Sequence, residues 1–149
     1  MTHERYALRF HHLGLAVRTP DHALHFLRGL GYIPGPPVFD PLQQVNLIFC
    51  PRTEPGSSAN AQPAVELIYA EPGVASPIDR IFAKGDELIY HVCYESPNPT
   101  ESVSAMTRDG NRVVCVSPAK PAVLFDQREV SFWYVRGFGV IEILATEPQ

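Results

Sequence analysis

The sequence predicts an α+β protein in which two tandem βαβββ modules form a curved, half-barrel-like mixed sheet. One observation is an internal repeat, because the apolar segment around Glu66 returns around Glu142 at an offset of 76 residues. A second is that His12 and His91, each inside a strand-like segment, lie 79 residues apart. Each half therefore begins with a strand that carries a histidine and ends with a strand that carries a glutamate.

The length and composition are those of a single globular domain. The chain has 149 residues, of which 45% are apolar and 19% are charged. This length suits one domain, or two fused half-size units that share a core. Within residues 1–149 we place module one at about residues 8–72, a linker helix at about 76–85 and module two at about 87–147.

The composition also excludes several classes of partner. The net charge is −4 and the 12 lysines and arginines are scattered, whereas nucleic-acid binding needs a clustered basic surface. No apolar run reaches the roughly 18–20 residues of a membrane span, and the N-terminus lacks the apolar core of a secretory signal. Cys50, Cys93 and Cys115 lie in apolar segments, which predicts three buried thiols in a reducing cytoplasm. We therefore expect a cytoplasmic protein without nucleic-acid or membrane partners.

Module one begins with a strand over residues 10–17, in which His12 and Gly14 point to the same face. A helix follows, with Thr19 as the N-cap and Pro20 in the first helical position. The module continues with a short or irregular second strand and with strands over residues 45–50 and 64–70. The intervening residues 51–63 are rich in proline, glycine and serine, which predicts an exposed loop.

A short capped helix from Ser76 to Gly85 connects the modules. Module two repeats the order of module one. It has a strand with His91 over residues 88–95, a helix over residues 100–109, and strands over residues 112–117, 130–135 and 140–145.

His12, Glu66, His91 and Glu142 occupy equivalent places in the two halves, and this makes them candidate metal ligands. Two imidazoles and two carboxylates favour Co, Ni, Mn, Zn or Fe over the ions that prefer all-oxygen sites, Ca²⁺ and Mg²⁺. A six-coordinate ion keeps two positions for two oxygens of a chelating substrate. Such an ion polarises a carbonyl as a Lewis acid, and a nearby carboxylate can then remove a proton from the adjacent carbon.

Each candidate ligand also has a structural alternative. A single histidine in a strand is more often a hydrogen-bonded structural residue than a ligand. A glutamate between apolar neighbours can simply face solvent. The recurrence favours the metal site, because solvent-facing positions need not match between the halves whereas ligands of one ion must.

The other histidines are not expected to be ligands. His11 is predicted to point to the face opposite His12. His3, His22 and His25 are predicted to lie in the N-terminal tail or on the solvated surface of the first helix.

Three aromatic residues and one arginine near the end of module two have less defined roles. Phe132, Trp133 and Tyr134 are predicted to pack in the core, although one of them can form a pocket wall. Arg128 can hold an anionic group of a substrate, and a surface role is the alternative.

Five stretches of the chain resemble the vicinal oxygen chelate superfamily, which includes glyoxalase I, methylmalonyl-CoA epimerase, extradiol dioxygenases and the bleomycin- and fosfomycin-resistance proteins. They are residues 11–17, 66–72, 76–82, 90–95 and 139–143. The Ser-Pro-Ile segment from Ser76, followed by the His91 strand, is most similar to the methylmalonyl-CoA epimerase-like branch. The resemblance runs from about residue 10 to residue 145 and implies the glyoxalase-like fold.

The resemblance also implies the site residues. It places His12, Glu66, His91 and Glu142 at the metal positions, with Glu142 and Glu66 as the catalytic carboxylates and a divalent ion as cofactor. The epimerase often has glutamine where Glu66 stands, whereas bacterial glyoxalase I has glutamate. The catalytic glutamate on the third strand of the epimerase is matched here by Asn46, which cannot take a proton. A two-base epimerisation then requires Glu66 to replace it.

Three functions are compatible with these residues. The first is a metal-dependent isomerase or epimerase that acts on an acyl-CoA or another thioester, with Glu142 as the base. The second is a glyoxalase I-type lyase or another tailoring enzyme on the same scaffold. The third is a non-enzymatic protein that sequesters an antibiotic or another small molecule, against which all four ligand positions argue. A homodimer is expected, because the half-barrels of such proteins expose edges that pair.

Overall fold

The computed structural model describes residues 4–53, 61–83 and 85–146. In chain order the elements are β1 (Arg9–Val17), α1 (Asp21–Gly29), β2 (Val38–Asp40), β3 (Val45–Cys50), β4 (Ala64–Tyr69), a 3₁₀ helix (Asp79–Ala83), β5 (Glu87–Ser96), α2 (Pro99–Arg108), β6 (Val113–Pro121), a 3₁₀ helix (Val123–Phe125), β7 (Glu129–Val135) and β8 (Gly139–Ala145). The α+β class and the βαβββ order of each half are confirmed.

The chain divides into two compact units. His12–Tyr90 form the first unit, and the described residues before His12 together with those from His91 onward form the second unit.

The sheet of the first unit has the strand order β2-β3-β4-β1. β1 and β4 are parallel, with Gly14 paired with Glu66, whereas β3 is antiparallel to β2 and to β4. One face packs against α1 through a buried cluster of Leu27, Tyr32, Ile48, Cys50, Val65 and Leu67. Because side chains alternate along a strand, Glu66 lies between Val65 and Leu67 on the opposite face.

The sheet of the second unit has the strand order β5-β8-β7-β6, which is the same arrangement. β5 and β8 are parallel, with Cys93 paired with Glu142, and β7 is antiparallel to β8 and to β6. Met106 of α2 packs on one face against Ile141 and Ile143. The face that carries Glu142 has its own buried apolar cluster of Cys93, Ala122, Val130, Phe132 and Leu144.

The two helices differ from the prediction at their N-termini. Pro20 occupies the N-cap position of α1 without a side-chain hydrogen bond, so the helix begins one residue later than a Thr19 cap implies. In α2 the cap is Asn98, whose side-chain oxygen accepts a hydrogen bond from the backbone N–H of Glu101 at 3.1 Å. After α1, Gly31 has a φ of +100°, a left-handed conformation that glycine adopts without strain.

The connection between the halves is shorter than the predicted capped helix from Ser76 to Gly85. Among the described residues of this connection, only Asp79–Ala83 are helical, and they form a 3₁₀ helix. The carboxylate of Asp79 accepts a hydrogen bond from the backbone N–H of Ser76 at 2.8 Å, which closes a tight turn before this helix. Such a short segment gains too few hydrogen bonds to offset the cost of nucleating an α-helix.

β6 is the edge strand of the second unit, and it differs from the prediction in length and in burial. It runs over Val113–Pro121 instead of residues 112–117, and two register irregularities interrupt its pairing with β7. At this edge Cys115 is exposed, so the prediction of three buried thiols is wrong for this residue. Cys50 and Cys93 are buried as predicted.

The loop predicted over residues 51–63 is described only at its ends, because residues 54–60 lie outside the described ranges. Thr53 and Gln62 form an isolated antiparallel bridge, which brings the two ends of the loop together. None of the helices among the described residues is long and apolar enough to cross a membrane.

Candidate metal centre

The first candidate pair lies on the face of the first unit that is turned away from α1. His12 on β1 and Glu66 on β4 share this face, because Gly14, two residues after His12, is paired with Glu66. Both residues are buried, with 0% and 4% of their surface exposed. The Nε2 atom of His12 lies 3.9 Å from Oε1 of Glu66, so the structure brings these two predicted ligands together.

The second candidate pair has the corresponding position in the second unit. His91 on β5 and Glu142 on β8 share a face, because Cys93, two residues after His91, is paired with Glu142. Each residue has only 2% of its surface exposed. The Nε2 atom of His91 lies 3.2 Å from Oε1 of Glu142.

The donor chemistry of both pairs fits a divalent metal ion. A buried carboxylate is unfavourable unless hydrogen bonds, an ion pair or a metal stabilise it. Imidazole nitrogens and carboxylate oxygens are ligands that Zn, Co, Ni, Mn and Fe all accept. Both units hold this donor combination on parallel strands in the same register, which a surface-exposed glutamate does not require.

Two phenylalanines stand beside these pairs. Phe49 on β3 is directly opposite Glu66, and its ring is edge-on to His12 with the centroids 5.8 Å apart. Phe132 on β7 is directly opposite Glu142, and its ring is edge-on to His91 at 5.3 Å. Each histidine–glutamate pair is therefore flanked by one aromatic ring.

This aromatic correspondence is not visible in the internal repeat of the sequence. Phe49 precedes Glu66 by 17 residues, whereas Phe132 precedes Glu142 by only 10, so unequal loop lengths hide the match. Phe132 does pack in the apolar cluster of its unit as predicted, but it is also in contact with His91.

Asn46 does not share the face of Glu66. Along β3 the residue opposite Glu66 is Phe49, and Asn46 lies three positions earlier, so alternation places it on the α1 side with Ile48. Its side-chain amide donates a hydrogen bond to Oε1 of Glu71 at 2.8 Å. The match of Asn46 to the catalytic glutamate of the epimerase stays a prediction.

His11 contacts an aromatic residue of its own unit. Its ring is edge-on to Phe125 at 5.4 Å, and Phe125 packs against the cluster on the Glu142 face of the second unit. The prediction that His11 points to the face opposite His12 stays a prediction.

The other assignments made from the sequence have mixed outcomes. His22 and His25 are exposed as predicted, and His3 lies outside the described residues. Trp133 packs on the α2 side of the second unit and donates a hydrogen bond from Nε1 to the hydroxyl of Ser131 at 2.9 Å. Tyr134 is 45% exposed, so its predicted place in the core is wrong.

Arg128 belongs to a partly buried ion pair in the second unit. Its Nη2 donates a hydrogen bond to Oε2 of Glu95 at 2.8 Å, and its Nε donates to the carbonyl oxygen of Ala145 at 2.6 Å. Burial opposes the ionisation of Glu95, but the hydrogen bond from Arg128 and the charges of His11, Arg128 and Arg9 outweigh it, so the pKa of Glu95 is below its ordinary value. A role of Arg128 in holding a substrate anion stays a prediction.

This ion pair predicts a pH-dependent stability. We expect Glu95→Gln to lower the free energy of unfolding by about 1 kcal/mol at neutral pH. Because the folded state lowers the pKa of Glu95, this contribution is present above the unfolded-state pKa and is lost as the pH falls through the folded-state pKa. Urea unfolding at neutral pH and at about pH 3 measures both values.

The matched control is Glu101→Gln, since the Glu101 side chain is 60% exposed in its ion pair with Arg108. We expect the control to change the free energy of unfolding by less than about 0.5 kcal/mol. A Glu95→Gln effect that is as large at about pH 3 as at neutral pH would contradict the role of the ionised carboxylate.

Sequence comparison assigns the family. The model of the glyoxalase/bleomycin resistance protein/dioxygenase superfamily matches residues 11–132. The chain belongs to this superfamily. The matched range contains three of the four candidate ligands, which are His12, Glu66 and His91. It ends ten residues before the fourth, Glu142. No curated protein sequence matches the chain at a significant level.

Solved structures confirm the glyoxalase-like fold that the resemblance implied. Methylmalonyl-CoA epimerase from Mycobacterium tuberculosis is 20% identical with a TM-score of 0.72, and the alignment covers 99% of this chain and 94% of the epimerase. The hypothetical protein BH1468 from Bacillus halodurans C-125 is 20% identical with a TM-score of 0.72, and 96% and 97% of the chains are covered.

A variant of the Streptomyces coelicolor methylmalonyl-CoA epimerase, solved in complex with 2-nitronate-propionyl-CoA, is also similar. It is 17% identical with a TM-score of 0.66, and the alignment covers 92% of this chain and 96% of that chain. At these identities the likeness shows the fold.

Proposed function

We propose that this superfamily member is a metal-dependent isomerase or epimerase that removes a proton from the carbon next to a carbonyl group. The observation that carries the proposal is the pair of buried histidine–glutamate sites in identical register, His12 with Glu66 and His91 with Glu142. In this proposal the four side chains bind one divalent ion, which is Co, Ni, Mn, Zn or Fe.

The bound ion supplies Lewis acidity, which polarises the carbonyl of the substrate and makes the adjacent C–H bond more acidic. In the proposed reaction Glu142 accepts the proton from this carbon. Glu66 can return a proton to the opposite face of the same carbon, and this exchange inverts its configuration. Both glutamates are buried, with 4% and 2% of their surface exposed, and this burial strengthens the electrostatic interactions of the two carboxylates.

The proposed substrate class is an acyl-CoA or another thioester. This choice is supported by the fold shared with methylmalonyl-CoA epimerases, including one solved with methylmalonyl-CoA and NH4+. The predicted homodimer stays a prediction, and light scattering of the purified protein measures it directly.

One observation favours a second candidate, a glyoxalase I-type lyase or a related tailoring enzyme. The residues of β3 that share the face of Glu66 are Val45, Leu47 and Phe49, and none of them carries a carboxylate. Asp40 on β2 is paired with Val45 and shares this face, but its carboxylate already accepts hydrogen bonds from the backbone N–H groups of Leu42 and Gln43 and from the Gln43 side chain. A lyase that needs one base is compatible with this arrangement.

The third candidate is a non-enzymatic protein that sequesters an antibiotic or another small molecule. Both histidine–glutamate pairs are present and buried, which argues for chemistry at this site over simple sequestration.

The decisive experiment combines metal analysis with two activity assays. Protein stripped with a chelator is reloaded with each of the five ions, and we expect about one bound ion per chain. Incorporation of solvent deuterium into a panel of acyl-CoA thioesters tests the isomerase. Disappearance of a hemithioacetal tests the lyase.

The outcomes of these assays are distinct. Deuterium exchange that requires the metal supports the isomerase or epimerase. Hemithioacetal turnover without exchange supports the lyase. Metal binding far below one ion per chain contradicts both enzymes and leaves the sequestering protein.

A further inference from the structure

A cavity lies between α2 and the sheet of the second unit, on the face of β7 and β8 opposite Glu142. Its volume is about 490 Å³, which is within the roughly 300–1,000 Å³ of small-molecule sites. β7 contributes Glu129, Ser131 and Trp133, which alternation places on one face of the strand. β6 contributes Cys115, the partner of Trp133 in the sheet. All the residues that line the cavity belong to the second unit, so one unit forms the whole site.

The charge of this cavity comes from one carboxylate. Among the described residues that line it, only Glu129 carries a formal charge. Glu129 is partly buried, and its carboxylate has no ion pair or hydrogen bond with any other described residue. Arg128, its neighbour in the sequence, is already bonded to Glu95, and Lys120 is paired with Val130 and therefore lies on the opposite face of the sheet. Because a partly buried carboxylate without a partner is unfavourable, the cavity favours a positively charged occupant.

The first turn of α2 borders the same cavity, and a helix N-terminus carries a partial positive charge. This partial charge is only about half a unit, whereas Glu129 supplies a full negative charge. Pro99 at the first helical position has no N–H group, and Asn98 already accepts the backbone N–H of Glu101. The turn therefore offers an anion few donors, and the balance of charge at the cavity is negative.

Trp133 makes an aromatic ring part of the cavity wall. Its Nε1–H donates to the hydroxyl of Ser131 at 2.9 Å, so the indole offers a ligand its apolar and π surface. Val103 of α2 and Ile143 of β8 add aliphatic surface. An aromatic or alkyl group gains contacts with these side chains, and a cation near the face of an indole gains a cation–π attraction.

We propose that this cavity binds a small organic cation, which is an amidine, guanidine or amine attached to an aromatic or alkyl group. Glu129 pairs with the cationic group, and Trp133 contacts the apolar part of the ligand. The site goes beyond the proposed enzymatic function, because Glu142 lies on the other face of the same sheet and the binding of the cation needs no metal ion.

The test compares three probes of nearly the same shape and different charge, which are benzamidine, benzamide and benzoate. Trp133 is the only tryptophan of the chain, so its fluorescence reports directly on the cavity. In titrations up to about 10 mM, we expect benzamidine to bind about 10-fold more tightly than benzamide, and benzoate to bind most weakly.

The thiol of Cys115 provides a second measurement. Cys115 is exposed and lines the cavity, whereas Cys50 and Cys93 are buried. A disulfide reagent such as Ellman's reagent therefore reacts first with Cys115. We expect saturating benzamidine to slow this reaction at least about 3-fold, and the same concentration of benzoate to leave its rate unchanged.

Glu129→Gln is expected to reduce the affinity for benzamidine about 10-fold and to leave the affinity for benzamide within about 2-fold. The matched control is Glu87→Gln, because Glu87 is an exposed glutamate that does not line the cavity. We expect this control to keep the order of affinities of the wild-type protein. Thermal unfolding shows whether both variants are folded, and the three probes test the wild-type protein without any variant.

Each outcome supports or contradicts the proposal. If benzamide or benzoate binds as tightly as benzamidine, or if no probe binds, the cavity is not a cation site. If Glu129→Gln keeps the wild-type order, Glu129 is not the residue that pairs with the cation. If benzamidine binds without changing the fluorescence of Trp133 or the reactivity of Cys115, it binds elsewhere and the proposal is wrong. None of these failures affects the proposed metal site, because every measurement uses protein without added metal.

Discussion

Replacing Glu142 with glutamine is expected to slow deuterium exchange into a thioester substrate by about 10²- to 10⁴-fold. Glutamine keeps the size of the side chain and one oxygen that can contact a metal ion, but it cannot accept a proton. Glu142 is 2% exposed and lies beside the buried residues Phe132 and Leu144, so water is poorly placed to replace it. Proton NMR of the substrate in D₂O measures the exchange rate, and elemental analysis measures the bound metal.

Two further variants complete this experiment. Glu101→Gln changes an exposed glutamate on α2 and is expected to leave the exchange rate unchanged. Glu66→Gln is expected to slow inversion of configuration more than exchange, because the proposal assigns the return of the proton to Glu66. If Glu142→Gln exchanges as fast as Glu101→Gln while its metal content is normal, Glu142 is not the base.

Replacing Leu67 with alanine is expected to lower the free energy of unfolding by about 2–5 kcal/mol. Leu67 is fully buried between β1, β3 and α1, in a cluster with Leu27, Ile48 and Val65. Removing most of its side chain loses apolar burial and leaves a cavity that the surrounding strands can fill only in part. Urea unfolding followed by circular dichroism measures the change at a constant slope.

The matched control is Leu42→Ala, at a leucine that is 54% exposed in the turn between β2 and β3. We expect this substitution to change the free energy of unfolding by less than about 0.5 kcal/mol. If Leu67→Ala is no more destabilising than Leu42→Ala, the cluster beneath α1 does not stabilise the first unit as the structure implies.

The local sequence predicted most of the secondary structure. β3 has the bounds 45–50 that its apolar residues indicated, and both βαβββ halves follow the predicted order. The differences lie where local signals are weak. Among the described residues of the connection after Ser76, only Asp79–Ala83 form a 3₁₀ helix, and α2 begins at Pro99 instead of at the predicted residue 100. Alternative caps and short helices differ by small free energies, so neighbouring packing decides between them.

The candidate ligands were predictable because they repeat in the sequence at nearly constant spacing. The structure then placed His12 beside Glu66 and His91 beside Glu142, each within one unit. The binding of one ion by all four remains our proposal. Phe49 had no comparable signal, since its distance in sequence from Glu66 differs from that between Phe132 and Glu142.

By itself the sequence determined the α+β class, the two repeated modules and the identity of the four candidate ligands. Only the tertiary structure decided that Phe49, and not Asn46, faces Glu66, and that His11 contacts Phe125. The physical reason is that alternation tells which residues of one strand share a face, but not how that strand is aligned with its neighbour. That alignment depends on loop lengths and on the packing of both faces, which residues distant in the sequence determine together.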